Sequence, residues 1–411
     1  MVEKETDVVG KRQLPRTRIA LTVPRFEVNH AGGAEIHAKA LALKLQEAGY
    51  EIEVLTTCAQ SHYTWENFYE PGEYEIDGLK VRRFSALDER DTETFLDIQE
   101  RIIHFEEITL DQEKTWISEG VISEDLFTFL DKHRDDYDVF IFIPYMFGTT
   151  YWGAQIVQKK AVLIPCLHDE PYARLQIFQD LFDSVKGIIP STEPEIALIR
   201  RLFAIPDYKI AQVAMGFSPA KEYNPERFRE KYNIQTPFIY YAGRREGGKN
   251  TDLLIEMFRT YKRNNRNDLK LILAGSGEVS LEPMDEKHIV DLGFLPEQDK
   301  QDAYAAALAF CTPSTNESLS IVLMESWLAG RPAIVHGGCE VTKDHCIRSN
   351  GGLFFNDYYE FEEVVNLILS NEEMSTKMGQ NGRSYVHLFF SWPRVLNNFR
   401  SALKKFGLVQ D

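Results

Sequence analysis

Short, almost wholly apolar runs alternate with longer helical patterns along this chain, and the alternation occurs twice. In the first half the runs are "TRIALTVP", "IEVLTT", "LKVRRF", "DVFIFIP", "AVLIPCL", "KGIIPS" and "AQVAM". Between the first two lies "GGAEIHAKALALKLQEAGY", whose apolar residues recur at helical spacing, with Gly49 as the stop. Strands that lack polar alternation and are separated by helices belong to parallel sheets covered on both faces. The rhythm restarts after "GFSPAKEYNPERFREKYNIQTP", which reads as an interdomain linker. The second set is "FIYYAG", "LKLILAG", "IVDLGFL", "ALAFCTP", "PAIVH" and "GGLFF".

The expectation is an α/β protein of two Rossmann-like, doubly wound domains facing a central cleft. The first covers residues 1–215 and the second 216–385, and a helix at about 386–411 returns to the first. A length of 411 residues fits two cores better than one. Ligands of such sheets bind beyond the carboxyl ends of the strands, so the site belongs in the cleft.

Composition removes several classes. A formal charge of −17 argues against nucleic acid as a partner. Five scattered cysteines, never spaced C-x-x-C, favour free thiols in a reducing, cytoplasmic setting over a disulfide framework or a zinc site. No apolar run is long enough to span a membrane, and none marks a secretory leader. The basic stretch "KRQLPRTR" reads first as a solvated tail and second as a peripheral contact with an anionic membrane face.

Candidate residues cluster where strands end. "RREGGKN" follows "FIYYAG", placing Arg244 and Lys249 in a glycine-bearing loop. A fork donor, a point charge and free amides suit a diphosphate; a solvated basic turn is the plain alternative. Gly275, Ser276 and Gly277 follow "LKLILA", where glycines let backbone approach a ligand or simply make a tight turn. Gly32 and Gly33 open a helix whose first amides can face phosphate. The G-x-G-x-x-G spacing of dinucleotide binders is absent there, which disfavours a dehydrogenase. "AVLIPCL" delivers His168, with Asp169 as its local alternative partner.

The segment "STNESLSIVLMESWLAGRP" holds two carboxylates, Glu317 and Glu325, around a helix that is apolar on almost all sides. Its start, at Leu319, Ser320 and Ile321, is an anion site, and carboxylates accept hydrogen bonds from hydroxyls. A ligand with a central diphosphate and hydroxyls at both ends satisfies all these groups. Such a ligand is a nucleotide diphosphate sugar, with Glu325 on the ribose and Glu317 on the sugar. Local capping or pairing of one glutamate is the alternative. A glycosidase reading is weaker, because both acids share one segment rather than flanking a scissile bond.

These residues resemble a known family. "NESLSIVLMESWLAGRP" is similar to the E-x₇-E signature of retaining glycosyltransferases of the GT-B fold, glycosyltransferase family 4, and "YAGRREGGKN" resembles its G-R-x₄-K-G loop. "GGAEIHA", "LILAGSGE", "VDLGFLPEQD" and "HGGCEV" resemble its other segments, in order. The resemblance implies a nucleotide-sugar donor on the C-terminal domain and a glycan or lipid-linked acceptor on the N-terminal one. It also implies transfer with retention, in cell-surface polysaccharide or glycoconjugate synthesis, and no cofactor or obligatory metal. By the same resemblance His168 contacts the donor sugar, Glu317 faces its hydroxyls, Arg244 and Lys249 neutralise the diphosphate, and the base is met near Phe294. Three departures from the pattern stand out: Asn250 for a glycine, Leu319-Ser320 for Phe-Gly, and Ser326 for an alanine. A nucleotide-sugar epimerase, a phosphorylase and an inactive binding partner are the competing readings. The second needs a Schiff-base lysine that no motif marks, and the third is disfavoured because every charged group is present.

Aromatic residues Tyr63, Trp65, Phe68 and Tyr69 are candidates for stacking on acceptor sugars or for ordinary packing.

Overall fold

A computed structural model describes residues 17–26, 32–245 and 247–410. Most of the basic tail, residues 11–16, lies outside the described residues. Two sheets form, each flanked by helices. The first has strands β1 (Arg18–Thr22), β2 (Glu51–Thr57), β3 (Gly72–Ile76), β4 (Leu79–Phe84), β5 (Val139–Phe142), β6 (Ala161–Leu163) and β7 (Gly187–Ile188). Their order is β3-β4-β2-β1-β5-β6-β7. All neighbours are parallel except β3, which runs antiparallel to β4. The second sheet has β8 (Phe238–Ala242), β9 (Lys270–Ala274), β10 (Ile289–Asp291), β11 (Ala309–Thr312), β12 (Ala333–His336) and β13 (Gly352–Phe355). It is parallel throughout, in the order β10-β9-β8-β11-β12-β13. This is the doubly wound arrangement, and its order reverses between β8 and β11.

Apolar continuity in the strands explains the layers. Ile19, Leu21, Val54 and Ile141 point to one face, and Ala20, Leu55, Phe140 and Phe142 to the other, all buried. The second sheet divides likewise, with Tyr240, Ile272 and Phe310 on one face and Ile239, Leu271 and Cys311 on the other. The C-terminal helix Trp392–Lys405 returns to the first sheet, burying Val395, Phe399 and Leu403 against the face that carries Ile19 and Val54. At the crossover Phe217 N–H donates to the Phe390 carbonyl at 2.7 Å. Gly216 leaves room there for the Trp392 ring, 2.4 Å from where a Cβ would stand.

Three expectations change. "AQVAM" is extended chain, not a strand: Ala211 and Val213 donate to Ile188 and Pro190, but β7 is too short to make a ladder with them. The linker contains the helix Pro225–Tyr232, capped by Asn224 and tied to the second domain by Arg227 Nε on Asp302 at 2.6 Å. The edge strand β3 escapes the apolar pattern because its side chains are charged and exposed. Its signal is the Asp77-Gly78 turn, both residues at positive φ, as a tight hairpin requires. Between β4 and β5 the chain forms the helices Thr92–Ile103, Leu110–Ser118 and Glu124–Lys132.

Candidate active site

The loops after β8 and β11 flank the reversal point of the second sheet, and they are fastened together. Lys249 Nζ donates to Glu317 Oε1 at 2.7 Å. The Gly248 carbonyl accepts from Thr315 N–H at 3.2 Å and from Ser314 Oγ at 3.3 Å. Asn250 Nδ2 reaches the Pro313 carbonyl at 3.2 Å. Asn250 has φ +51°, which explains the departure from glycine: asparagine is among the few other residues that enter the left-handed region readily.

The glycines after β9 serve backbone contact within the protein. A Cβ on Gly275 would stand 1.8 Å from the Gly243 carbonyl oxygen, so β8 and β9 leave the sheet in direct contact. Gly277 faces Arg245, whose side chain is only 2% exposed. The Arg245 guanidinium donates to the Gly277 carbonyl at 2.8 Å and forks onto Asp291, while its N–H donates to the Ser276 carbonyl at 3.0 Å. One arginine thus braces the loops after β8, β9 and β10. The sequence reading passed over it in favour of Arg244.

The helix after β11 runs Ile321–Leu328, two residues shorter at its start than the apolar run. Ser320 caps it with φ +67°, and its buried hydroxyl has no hydrogen-bond partner among the described residues. A side chain thus occupies a backbone conformation suited to the glycine that the resembled family has there. Glu325 is already satisfied: Oε1 accepts from Lys300 Nζ at 2.8 Å and Oε2 from Tyr304 at 3.0 Å. Burial pushes its carboxyl up despite the lysine, while Glu325 and Glu297 hold the Lys300 ammonium up despite its own burial. Lys300 is a second residue the sequence reading missed. Both acids of the segment thus have a lysine partner, as carboxylates in an apolar setting require.

The first domain brings His168 to the same place. Its imidazole, 30% exposed, lies 3.9 Å from Glu170 Oε1. Glu170, not Asp169, is the local acid: Asp169 is engaged by Arg174 at 2.6 Å and by Arg201, and Glu170 accepts from Tyr145 at 2.8 Å. Burial lowers the His168 pKa. Glu170 and Glu317 oppose that shift, and Lys249 and Arg244 reinforce it. Burial therefore favours the neutral imidazole, and the charges that tune it come from both domains.

Three further contacts cross the cleft. Thr192 Oγ1 donates to the Ser318 carbonyl at 3.1 Å, beside Glu317. A Cβ on Gly32 would lie 3.6 Å from the Arg244 guanidinium carbon, and one on Gly33 3.8 Å from Ile321 Cδ1. The starts of the helices Gly33–Glu47 and Ile321–Leu328 therefore meet across the cleft. Phe294 lies in the loop after β10, with 62% of its surface exposed.

Glu195 is the third residue missed. It is fully buried, and its carboxylate accepts from Leu167 N–H at 2.7 Å and Ser191 N–H at 2.6 Å. It therefore ties the segment bearing His168 to the one bearing Thr192. Its signal was the capping-box spacing Thr192-x-x-Glu195. Burial pushes its pKa up to about 7, against three backbone hydrogen bonds.

Of the aromatic candidates, Trp65 is buried against Phe147 and Tyr69 lies under the Arg83 guanidinium at 3.9 Å. Tyr63 and Phe68 remain exposed. All five cysteines are free. No helix among the described residues is long and apolar enough to cross a membrane.

Two facing Rossmann-like domains with the site between them define the GT-B architecture. Residues 224–385, most of the second domain, match the family model of glycosyl transferases group 1. Over 417 aligned residues, spanning 92% of this chain and 87% of the relative, it is 23% identical to a D-inositol 3-phosphate glycosyltransferase of Corynebacterium kroppenstedtii. Among solved structures, sucrose-phosphate synthase of Thermosynechococcus elongatus superposes with a TM-score of 0.72 at 16% identity, covering 95% of this chain and 99% of that one. Anabaena HepE in complex with UDP superposes at 0.67 with 12% identity, covering 94% and 99%. These two likenesses establish the fold.

Proposed function

We propose that this chain is a retaining glycosyltransferase that moves a sugar from a nucleotide diphosphate sugar to a glycan or glycolipid hydroxyl. The observation that carries the reading is the meeting of Arg244, the Lys249–Glu317 pair, His168 and two helix starts in one cleft. In this reading the Lys249–Glu317 pair keeps the place of the donor. On binding, Lys249 and Arg244 turn to the diphosphate, Glu317 takes sugar hydroxyls, and His168 hydrogen-bonds the same sugar. Glu325 receives the ribose with Lys300 and Tyr304 holding it in position, and the backbone near Phe294 meets the base.

The bond between the anomeric carbon and the diphosphate oxygen breaks, and the two cations stabilise the departing charge. The acceptor oxygen bonds to the anomeric carbon on the same face, and its proton passes to the leaving phosphate oxygen. Neither a protein nucleophile nor an obligatory metal has a part in this scheme. The acceptor lies against the first domain, where Tyr63 and Phe68 are exposed, and the product belongs to cell-surface polysaccharide or glycoconjugate synthesis. The UDP in the HepE structure makes UDP sugars the first donors to try.

The test is incubation with UDP-, GDP-, dTDP- and ADP-sugars and a panel of glycan and polyol acceptors in EDTA, with product anomers read by NMR. One donor giving a product of unchanged anomeric configuration is expected. Inversion, a strict need for a divalent ion, or turnover of the donor into another nucleotide sugar without an acceptor would each replace this reading.

A further inference from the structure

A second polar cavity, of about 410 Å³, lies far from the cleft, and lysines Lys159, Lys186, Lys209, Lys404 and Lys405 line it. Among the described residues no carboxylate does, in a chain whose formal charge is −17. Lys186 directly precedes β7 and Lys159 stands two residues before β6. The cavity is therefore at the amino ends of the strands whose carboxyl ends lead to His168 and Thr192.

Lysines at this wall also offset helix dipoles. The helices Gly148–Ile156, Gln176–Ser184 and Trp392–Lys405 all end at this wall, and cations offset the negative ends of helices. Each helix end carries about half a negative charge, so three of them amount to roughly −1.5. With Lys404 left out of the balance, the other four ammonium groups still exceed that, even with the Asp183 carboxylate counted at 3.9 Å from Lys209. Two of the five are held in place: Lys209 Nζ donates to the Asp183 carbonyl at 2.5 Å and Lys405 Nζ to the Ile210 carbonyl at 2.6 Å. Each of these ammonium groups keeps two N–H donors for another acceptor. Among the described residues no carboxylate pairs with Lys159 or Lys186. A concavity that concentrates like charge raises the local concentration of counter-ions. The volume is that of a small-molecule site.

We infer that this cavity binds a phosphate-bearing anion, at a site separate from the cleft. The ligand is either a free phosphorylated molecule or a lipid phosphate headgroup, since both present the same chemistry to the lysines.

Calorimetric titration of the full chain with inorganic pyrophosphate, and co-sedimentation with phosphatidylcholine vesicles with or without phosphatidylglycerol, distinguish the two sources. Because Arg244 and Lys249 also attract phosphate, the informative quantity is the difference between wild type and the exposed double variant Lys159→Glu/Lys186→Glu. A second pyrophosphate site in wild type, weakened about tenfold or more in the variant, points to a free ligand. Retention of wild type but not the variant by the anionic vesicles alone points to a headgroup. Identical pyrophosphate isotherms together with no vesicle retention would overturn the inference. If the charge reversal lowers the melting temperature, Lys159→Gln/Lys186→Gln carries the same comparison with a smaller expected effect.

Discussion

The two domains share one plan yet hold their candidate residues by different means. In the second, the fastening converges on main chain: Gly275 lies against Gly243, the Gly248 carbonyl takes two donors, and Arg245 holds the Gly277 and Ser276 carbonyls. In the first, isolated buried side chains do the work, with Glu195 behind His168 and Arg25 pairing Glu35 behind Gly32. A site made of main-chain contacts tolerates little change and suits a constant part of a ligand, such as a diphosphate. A site propped by single side chains can be re-cut without disturbing the sheet, which suits a variable acceptor.

Substitutions in each domain can break or sharpen that contrast. The largest effect is expected for Lys249→Ala. Removing a cation that meets developing charge lowers the transfer rate about 100-fold or more in protein that stays folded, while the melting temperature falls because Glu317 loses its partner. Next comes Gly275→Ala, whose methyl has no space beside the Gly243 carbonyl. A loss of about 3 kcal/mol in urea unfolding of the second domain is expected, as for an overpacked core.

In the first domain the comparable lever is titration. The Glu195 pKa is raised to about 7 by burial, so its contribution to stability is fully present below the ordinary carboxylate pKa. That contribution is lost as pH rises through 7. Between pH 4.5 and 7 wild type should lose about 3 kcal/mol relative to Glu195→Gln, which does not titrate. A flat difference across that range would show that the carboxylate is ionised without penalty. Ser320→Gly should have the smallest effect, a gain of about 1 kcal/mol from relieving a left-handed serine. A loss of stability there would mean that the buried hydroxyl has a partner.

Much of this was legible in the sequence because the second domain repeats one unit, an apolar strand ending in a polar loop. All six of its strands were read from apolar runs, and the loops after β8 and β11 carried the candidate residues. The first domain was harder. Its edge strand is charged, β7 is only two residues long, and its supporting residues act on backbone far away in sequence. Glu195 reaches Leu167 across 28 positions, which no local pattern reveals. Pairing between candidates was also hidden. Lys249 and Glu317 were assigned to different parts of a ligand, whereas here they bond to each other across 68 positions. The glycines after β9 were legible as special but not as to why, since what approaches them is the chain itself.

The central claim is that the Lys249–Glu317 pair opens to receive a nucleotide diphosphate sugar. Calorimetric titration of wild type, Lys249→Ala and Glu317→Gln with the same UDP sugar and with UDP tests it most directly. Wild type should bind both ligands, Lys249→Ala should lose affinity for both, and Glu317→Gln should lose affinity for the sugar nucleotide while still binding UDP. Equal affinities in all three proteins would contradict the claim.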